Sequence, residues 1–224
     1  MIIPLEIIDC EQCSPEWYQA RLGLVTASEF ATVMAKGKNG GESRQRRTYM
    51  LKLIGEILTG EPSESYTNAH MERGKLMEEE ARNYYAFMTD IEPQHVGFLK
   101  RGRTGCSPDS FIGSDGMHEI KTKLPHLHID VMLADQLPPE HKAQCQGGLW
   151  VAEREWIDFQ SYWPRLPPFI KRVYRDETYI KTLEQAVRDF IEEMDDLMQR
   201  VTDSEYLENK LVQSVVIHPE RTHE

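Results

Sequence analysis

The residues with the clearest chemical potential are Ser107-Pro108-Asp109 and, nine residues further on, Glu119-Ile120-Lys121. On a β-strand side chains alternate between faces, so Glu119 and Lys121 point one way while Ile120 points the other, toward a core. A hairpin would return Glu119 to the neighbourhood of Asp109, and two carboxylates and an ammonium would converge. Hard divalent ions take oxygen ligands of this kind, and Mg²⁺ tends to take one or two carboxylates plus waters and substrate phosphates. The backbone carbonyl of Ile120 is a further candidate ligand. Lys121 is placed to lower the pKa of an attacking water or to steady the charge that develops on a phosphorane. The bare spacing reads equally well as a salt-bridged hairpin with a turn aspartate, because acids, lysines and prolines are common.

Such a hairpin needs elements on either side to hold it. Upstream, Ser14-Pro15 supplies an N-cap and a first-turn proline for a short helix through Arg21. Thr26-Ala27-Ser28-Glu29 fits a capping box opening a second helix toward Met34. A loop from Gly37 to Gly41 leads to a third helix with Met50, Leu53, Ile54, Ile57 and Leu58 on one face, closed by Gly60. A fourth helix is predicted from Ala69 to Met88, with Met77, Ala81, Tyr84, Tyr85 and Met88 on its inner side. The period then changes: Val96–Leu99, Thr104–Cys106 and Met117–Thr122 read as strands separated by turns. A helix follows Pro138-Pro139 to about Val151, and Trp156–Trp163 and Phe169–Tyr174 are two more strands. The long helix from Thr178 to about Val201 buries Ile180, Leu183, Val187, Phe190, Met194 and Leu197, and an acidic tail follows. The opening Met1–Asp9 reads as a strand. The pattern is α/β without internal repeats.

The chain has 224 residues, 40% hydrophobic and 28% charged, which suits one globular domain, 1–224, and excludes extensive disorder. Neither a membrane span nor a basic leader is legible, so a cytoplasmic location with reduced cysteines is expected. The net charge of −11 argues at first against a nucleic-acid partner, but it is unevenly spread. From Asp176 to Glu224 there are thirteen acids and five bases, whereas the other 175 residues carry a net charge of only −3. Lys36 to Ile54 holds Lys36, Lys38, Arg44, Arg46, Arg47 and Lys52 against the single acid Glu42. This segment is compatible with a polyanion channel and equally with a solvated helix face.

Glu78 lies on the helix before these strands and Gln144 on the helix after them. This order, with acids on the first elements and a glutamine on the last, resembles the P-D…E-x-K nuclease superfamily, hence a restriction-endonuclease-like core of central mixed sheet flanked by helices. More narrowly the chain resembles the phage lambda-type alkaline exonucleases, viral recombination enzymes. Four blocks carry the likeness: Trp17 to Glu29 with its Arg21-Leu22-Gly23-x-x-Thr26-Ala27-Ser28-Glu29; Arg73 to Glu78; Cys106 to Asp109 with Glu119 to Lys121; and Ala143 to Gln146 with Trp150. They span about three-fifths of the sequence. The first block is the most specific, since other nucleases of the superfamily lack it.

The resemblance implies a metal core over about 69–175, N-terminal helices 14–60 for binding the DNA end, and a C-terminal helix of about 178–201 with its tail. Asp109, Glu119 and the Ile120 carbonyl would hold two Mg²⁺ ions, for which Mn²⁺ could substitute. Glu78 would act on the second ion or its water, Lys121 would assist the nucleophile, and Gln144 would orient that lysine or the scissile phosphate. Arg21, Ser28 and Ser107 match the family's pocket for a terminal 5′-phosphate, as a bidentate guanidinium and two hydroxyls should. The implied activity is processive 5′→3′ removal of mononucleotides from linear duplex DNA by a ring-shaped homotrimer. The implied partner is a single-strand annealing protein, and no membrane is involved. Arg44, Arg46 and Arg47 are weaker candidates for DNA contacts, and Trp17 could either pack or touch the DNA end. Where the family can carry a tyrosine three residues before the glutamine, this chain has His141, and Lys123 is an extra base.

Other candidates are bland. Cys10-x-x-Cys13 lacks a second pair to complete a zinc site. Cys145 reads as helix core, His126 and His128 as a loop beside Pro125, and Trp156, Tyr162 and Trp163 as core strand residues. Two rivals remain: an endonuclease of restriction or resolvase type, against which the Arg21–Ser28 block speaks, and a DNA-end scaffold without chemistry, against which the intact Asp109, Glu119 and Lys121 speak.

Overall fold

A computed structural model describes residues 3–37, 40–41, 43–63 and 69–203, the side chains of 69–73, 75 and 76 excepted. In chain order the elements are β1 (Glu6–Ile8), α1 (Pro15–Arg21), β2 (Val25–Thr26), a 3₁₀ turn (Ala27–Glu29), α2 (Phe30–Met34), α3 (Arg44–Thr59), α4 (Ala69–Thr89) and β3 (Phe98–Arg101). Then come β4 (Thr104–Cys106), β5 (Ser110–Ile112), β6 (Gly116–Thr122), α5 (Pro125–Ala134), α6 (Pro139–Ala152), β7 (Trp156–Tyr162), β8 (Phe169–Tyr174) and α7 (Glu177–Thr202). Among the described residues no helix is long and apolar enough to cross a membrane.

The strands form two mixed sheets flanked by helices, ordered β1-β3-β4-β2 and β5-β6-β7-β8. β6 pairs antiparallel with β5 and parallel with β7, and β4 pairs parallel with β2. The chain therefore passes from the first sheet to the second between Cys106 and Ser110, through the Ser107-Pro108-Asp109 turn. One large hydrophobic cluster joins α2, α3, α6, α7 and both sheets, and a small one under α4 contains Met77, Ala81, Ile120 and Tyr162.

Capping and periodicity account for most helices. Ser14 accepts a hydrogen bond from the Trp17 amide at the start of α1, with Pro15 following, and left-handed Gly60 (φ 72°) closes α3. The α7 stripe Ile180, Leu183, Val187, Phe190 and Met194 is buried as expected, with Leu197 packed against it. Elsewhere the expectations need correction. Tyr84 and Met88 of α4 and Leu58 of α3 face solvent, because the buried stripe on α4 is narrower than the apolar pattern and α3 turns Tyr49 inward instead. The segment around His126 and His128 is helix α5, started by Pro125 at its first position; His128 is buried against Ser161 Oγ (2.7 Å) and the Pro167 carbonyl (2.9 Å). β5, three residues long, gave too short a signal to be read. The acidic tail from residue 204 lies outside the described residues.

Helix α6 approaches the 3₁₀ turn and α2 through small residues. A methyl on Gly147 would stand 2.1 Å from Phe30 Cδ2, and Phe30 is wholly buried against Trp150. Overpacking costs up to about 3 kcal/mol, more than the ~1 kcal/mol that alanine returns in helix propensity. Gly147→Ala is therefore expected to lower Tm by about 4–8 °C; an unchanged thermal melt would show that α6 is free to move away from α2.

Candidate active site

The hairpin brings the two acidic motifs together as the alternation demands. The Asp109 amide donates to the His118 carbonyl (3.0 Å), and the Asp109 carboxylate accepts from the Ile120 amide at 2.5 Å, one step past the last β5–β6 pair. Since a residue's N–H and C=O leave a strand on the same edge, the Ile120 carbonyl is also turned toward Asp109. Ile120 packs beneath α4, while on the opposite face Lys121 Nζ donates to Glu119 Oε1 at 2.6 Å. Gln144, from α6, donates to that same oxygen at 2.6 Å. The second Glu119 oxygen has no bond among the described residues.

Two walls face each other across a cavity of about 220 Å³. One carries Glu78, Asp109, Glu119, Lys121 and Gln144; the other carries Trp17, Arg21, Thr26, Ser28 and Ser107. Arg21, the last residue of α1, lies over the Trp17 ring (4.0 Å) and points its nitrogens at Ser107 Oγ (3.5 Å) and Thr26 Oγ1 (3.3 Å). Trp17 Nε1 donates to Ser107 Oγ at 2.9 Å, and Thr26 Oγ1 lies 3.2 Å from Ser28 Oγ. The expected capping box is absent: Thr26 makes no side-chain cap, because its hydroxyl serves Arg21 and Ser28 while its amide donates to Tyr49 Oη (3.2 Å). Thr26 and Gln12 are cavity residues to which the sequence assigned no site role; Thr26 was visible as a helix cap and a member of the Arg21–Glu29 block, and Gln12 had no signal at all.

The electrostatics of the two walls differ in sign. Burial pushes the Asp109 carboxyl well above the usual carboxylate range, and the charge of Glu119 adds to it; Lys121 opposes, Glu78 adds again, and the Ile120 amide pulls back. Burial penalises the Lys121 ammonium, yet Glu119 and Asp109 outweigh it and hold its pKa above the ordinary lysine value. On the other wall burial pulls the Arg21 pKa down, countered only by the phenols of Tyr49 and Tyr18 and the thiols of Cys13 and Cys106. Among the described residues no carboxylate bonds Arg21. A partly buried guanidinium facing hydroxyls has the chemistry to take an anion.

The remaining candidates fall into place around this cavity. His141 lies one helical turn before Gln144, its ring tilted against Phe159 (centroids 5.2 Å apart); burial, then the charges of Lys123 and Lys121, pull its pKa to about 4 against Glu140, so it is neutral near pH 7. Cys145 is wholly buried, and burial and Glu119 push its thiol up, which makes it core and inert. All four cysteines are free, with Cys10 and Cys13 partly buried. Arg46 binds Glu193 (2.6 Å) and lies over Phe190, tying α3 to α7; Arg47 is partly buried, and Arg44 is exposed beside Thr48 and Lys52. On the far face of the second sheet Tyr85 Oη donates to Asp158 (2.7 Å), which Arg172 also holds by two bonds, clamping α4 and thereby Glu78 to the sheet.

Acids on a β-hairpin, a glutamate from the preceding helix and a glutamine from the following one, on mixed sheets flanked by helices, define a nuclease of the restriction-endonuclease-like fold. Sequence comparison narrows this. The profile of the YqaJ-like viral recombinase domain matches residues 16–155, and the chain belongs to that family. It is similar to the alkaline exonuclease LHK-Exo from Laribacter hongkongensis, with 34% identity over 90% of this chain and 100% of that one and a TM-score of 0.76. The same values hold for LHK-Exo in complex with dAMP. A phage-related exonuclease from Haemophilus somnus 129PT shares the fold, with 14% identity over 80% of this chain and 96% of that one and a TM-score of 0.63. No curated protein sequence matches. The family and the LHK-Exo likeness make the chain a recombination exonuclease of the lambda type.

Proposed function

We propose that this protein is a Mg²⁺-dependent, processive 5′→3′ exonuclease that removes mononucleotides from one strand of linear duplex DNA and leaves a 3′ overhang for strand annealing. The observation that carries the reading is that one cavity has both an acid wall and an Arg21–Ser107–Ser28 wall. A DNA end inserted there would offer its terminal phosphate to the cation and its next phosphodiester to the acids, an order that would account for both the polarity and the one-nucleotide step. That LHK-Exo has been crystallised with dAMP, a nucleoside monophosphate, is in keeping with it.

The donor set fits a hard divalent ion. Glu78, Asp109 and Glu119 line one cavity with Lys121, burial and then the charge of Glu119 push the Asp109 carboxyl up, and one Glu119 oxygen has no bond among the described residues. Among the described residues no three such side chains close into a cage of their own, so water and phosphate oxygens would complete the shell, as Mg²⁺ prefers. When bound, the metal would supply Lewis-acid polarisation of the phosphate and a more acidic water. The protein's own parts are then separate: Asp109, Glu119, Glu78 and the Ile120 carbonyl hold it; Lys121 steadies charge on the phosphoryl oxygens; Gln144 fixes Glu119. Arg21, Ser28, Ser107 and Thr26 grip the terminal phosphate. A homotrimer and a single-strand annealing partner complete the proposal on family grounds.

Arg21 gives the test. A bidentate guanidinium bond to a terminal phosphate is worth about 1.5–3 kcal/mol, roughly ten- to a hundredfold. Wild-type enzyme should prefer 5′-phosphorylated over 5′-hydroxyl duplex ends by that order and leave a covalently closed circle intact. Arg21→Ala should lose most of the preference while keeping activity on 5′-hydroxyl ends, with Ser28→Ala and Ser107→Ala weaker. Nicking of the circle, or full phosphate preference in Arg21→Ala, would overturn the reading.

A further inference from the structure

We propose that Gln12 is a positioning residue that sets the spacing between the terminal-phosphate pocket and the metal-binding carboxylates; this rests on the function proposed above. Ser107 and Asp109 serve opposite walls of the cavity yet are separated only by Pro108, so the conformation of this one turn decides how far apart the two phosphate-handling centres lie. Proline has no N–H, so the middle of the turn has no backbone donor with which to anchor itself. The anchor comes from outside: Gln12 Nε2 donates to the Pro108 carbonyl (3.0 Å) and, with its second hydrogen, to the Val96 carbonyl (3.1 Å).

Val96 is buried, and Gly97 beside it is the seat of the segment that carries Gln12: a methyl on Gly97 would stand 2.5 Å from both the Ile8 and Cys10 carbonyl oxygens. Only a bare α-carbon lets that backbone lie so close, so the loop between β1 and α1 is fixed where Gln12 can bridge. The residue type follows from the task. A carboxamide nitrogen has two hydrogens for two carbonyls; glutamate, of the same shape, has no donor and would add a further negative charge to the acid wall. Gln12 also lines the cavity, and its Oε1 has no bond among the described residues. The glutamine therefore supports both centres at once while touching neither a metal-binding oxygen nor Arg21.

The test uses Gln12→Met, uncharged and close in shape but without donors, on the full chain. Mn²⁺ binding without DNA is read by calorimetry, and binding of 5′-phosphorylated against 5′-hydroxyl duplex ends is read in Ca²⁺. Loss of a direct outer partner of a metal ligand typically weakens metal binding about ten- to a hundredfold; Gln12 acts one step further out, through the backbone that precedes Asp109, so a several-fold loss is expected. We expect that loss together with a several-fold drop in the phosphate preference, at a Tm within a few degrees of wild type. Gln12→Asn, one methylene short and able to reach a single carbonyl, should fall between; if the Met variant does not fold, Asn carries the test. In double-variant cycles Gln12→Met should be non-additive with Ser107→Ala. Unchanged Mn²⁺ affinity and phosphate preference, or loss of one without the other, would overturn the coupling. If wild type itself showed no phosphate preference, the proposed function would fail, which is distinct from failure of Gln12→Met to alter a preference that exists.

Discussion

Asp109→Ala and Glu119→Ala should each lower hydrolysis by at least about a thousandfold, the equivalent of roughly 4 kcal/mol, the scale of a metal ion's contribution to transition-state charge. Binding of DNA ends in Ca²⁺ should survive, because the proposed function rests affinity on phosphate contacts from Arg21 and its hydroxyls. The structure explains why neither carboxylate has a substitute. Glu119 is nearly buried, its side chain 7% exposed, and one of its oxygens takes both Lys121 and Gln144, so its removal leaves two donors unsatisfied. Asp109 ends the β5–β6 ladder by accepting from the Ile120 amide, so its loss also frees the Ile120 edge of the strand. Measured single-turnover rates and anisotropy with a labelled duplex separate the two effects. A rate within tenfold of wild type in either variant would remove that residue from the ligand set.

Part of this site was legible from periodicity and part only from resemblance. Alternation on β6 placed Glu119 and Lys121 together, whereas Glu78 and Gln144 were reached through the resemblance of their blocks to the family, and both line the cavity. What escaped is local or tertiary in origin. Thr26 has the sequence of a helix cap, but Arg21, Ser28 and Tyr49 recruit its polar atoms, and a short 3₁₀ turn replaces the first turn of the helix. His128 reads as a loop residue until Ser161 and Pro167, far along the chain, give it bonds that only a folded helix can bring to it. Arg46, basic and near a polyanion candidate, is bound by Glu193, 147 positions away. Gln12 lies in no pattern, and its role rests entirely on two carbonyls from separate segments. Long-range hydrogen bonds leave no period in a sequence.

Lys121→Ala should reduce turnover about a hundred- to a thousandfold, the range seen when a preorganised donor to a developing oxyanion is removed, with DNA-end affinity little changed. The form of the loss tells which role the amine has. Burial favours the neutral amine, but Glu119 at 2.6 Å and the nearby Asp109 overcome it, so the site is arranged to keep Lys121 a cation. A cation contributes as charge opposite phosphoryl oxygens, an interaction that strengthens as negative charge builds in the transition state, so kcat and kcat/KM should fall together. Lys121→Arg discriminates this from proton abstraction, because a guanidinium keeps the charge but does not give up its proton. We expect Lys121→Arg to exceed Lys121→Ala by about tenfold or more, with the shortfall from wild type reflecting the bulk of a planar group beside Glu119 and Gln144. Equal inactivity of the Arg and Ala variants, both folded and both binding DNA ends, would make Lys121 a base and reverse its place in the mechanism.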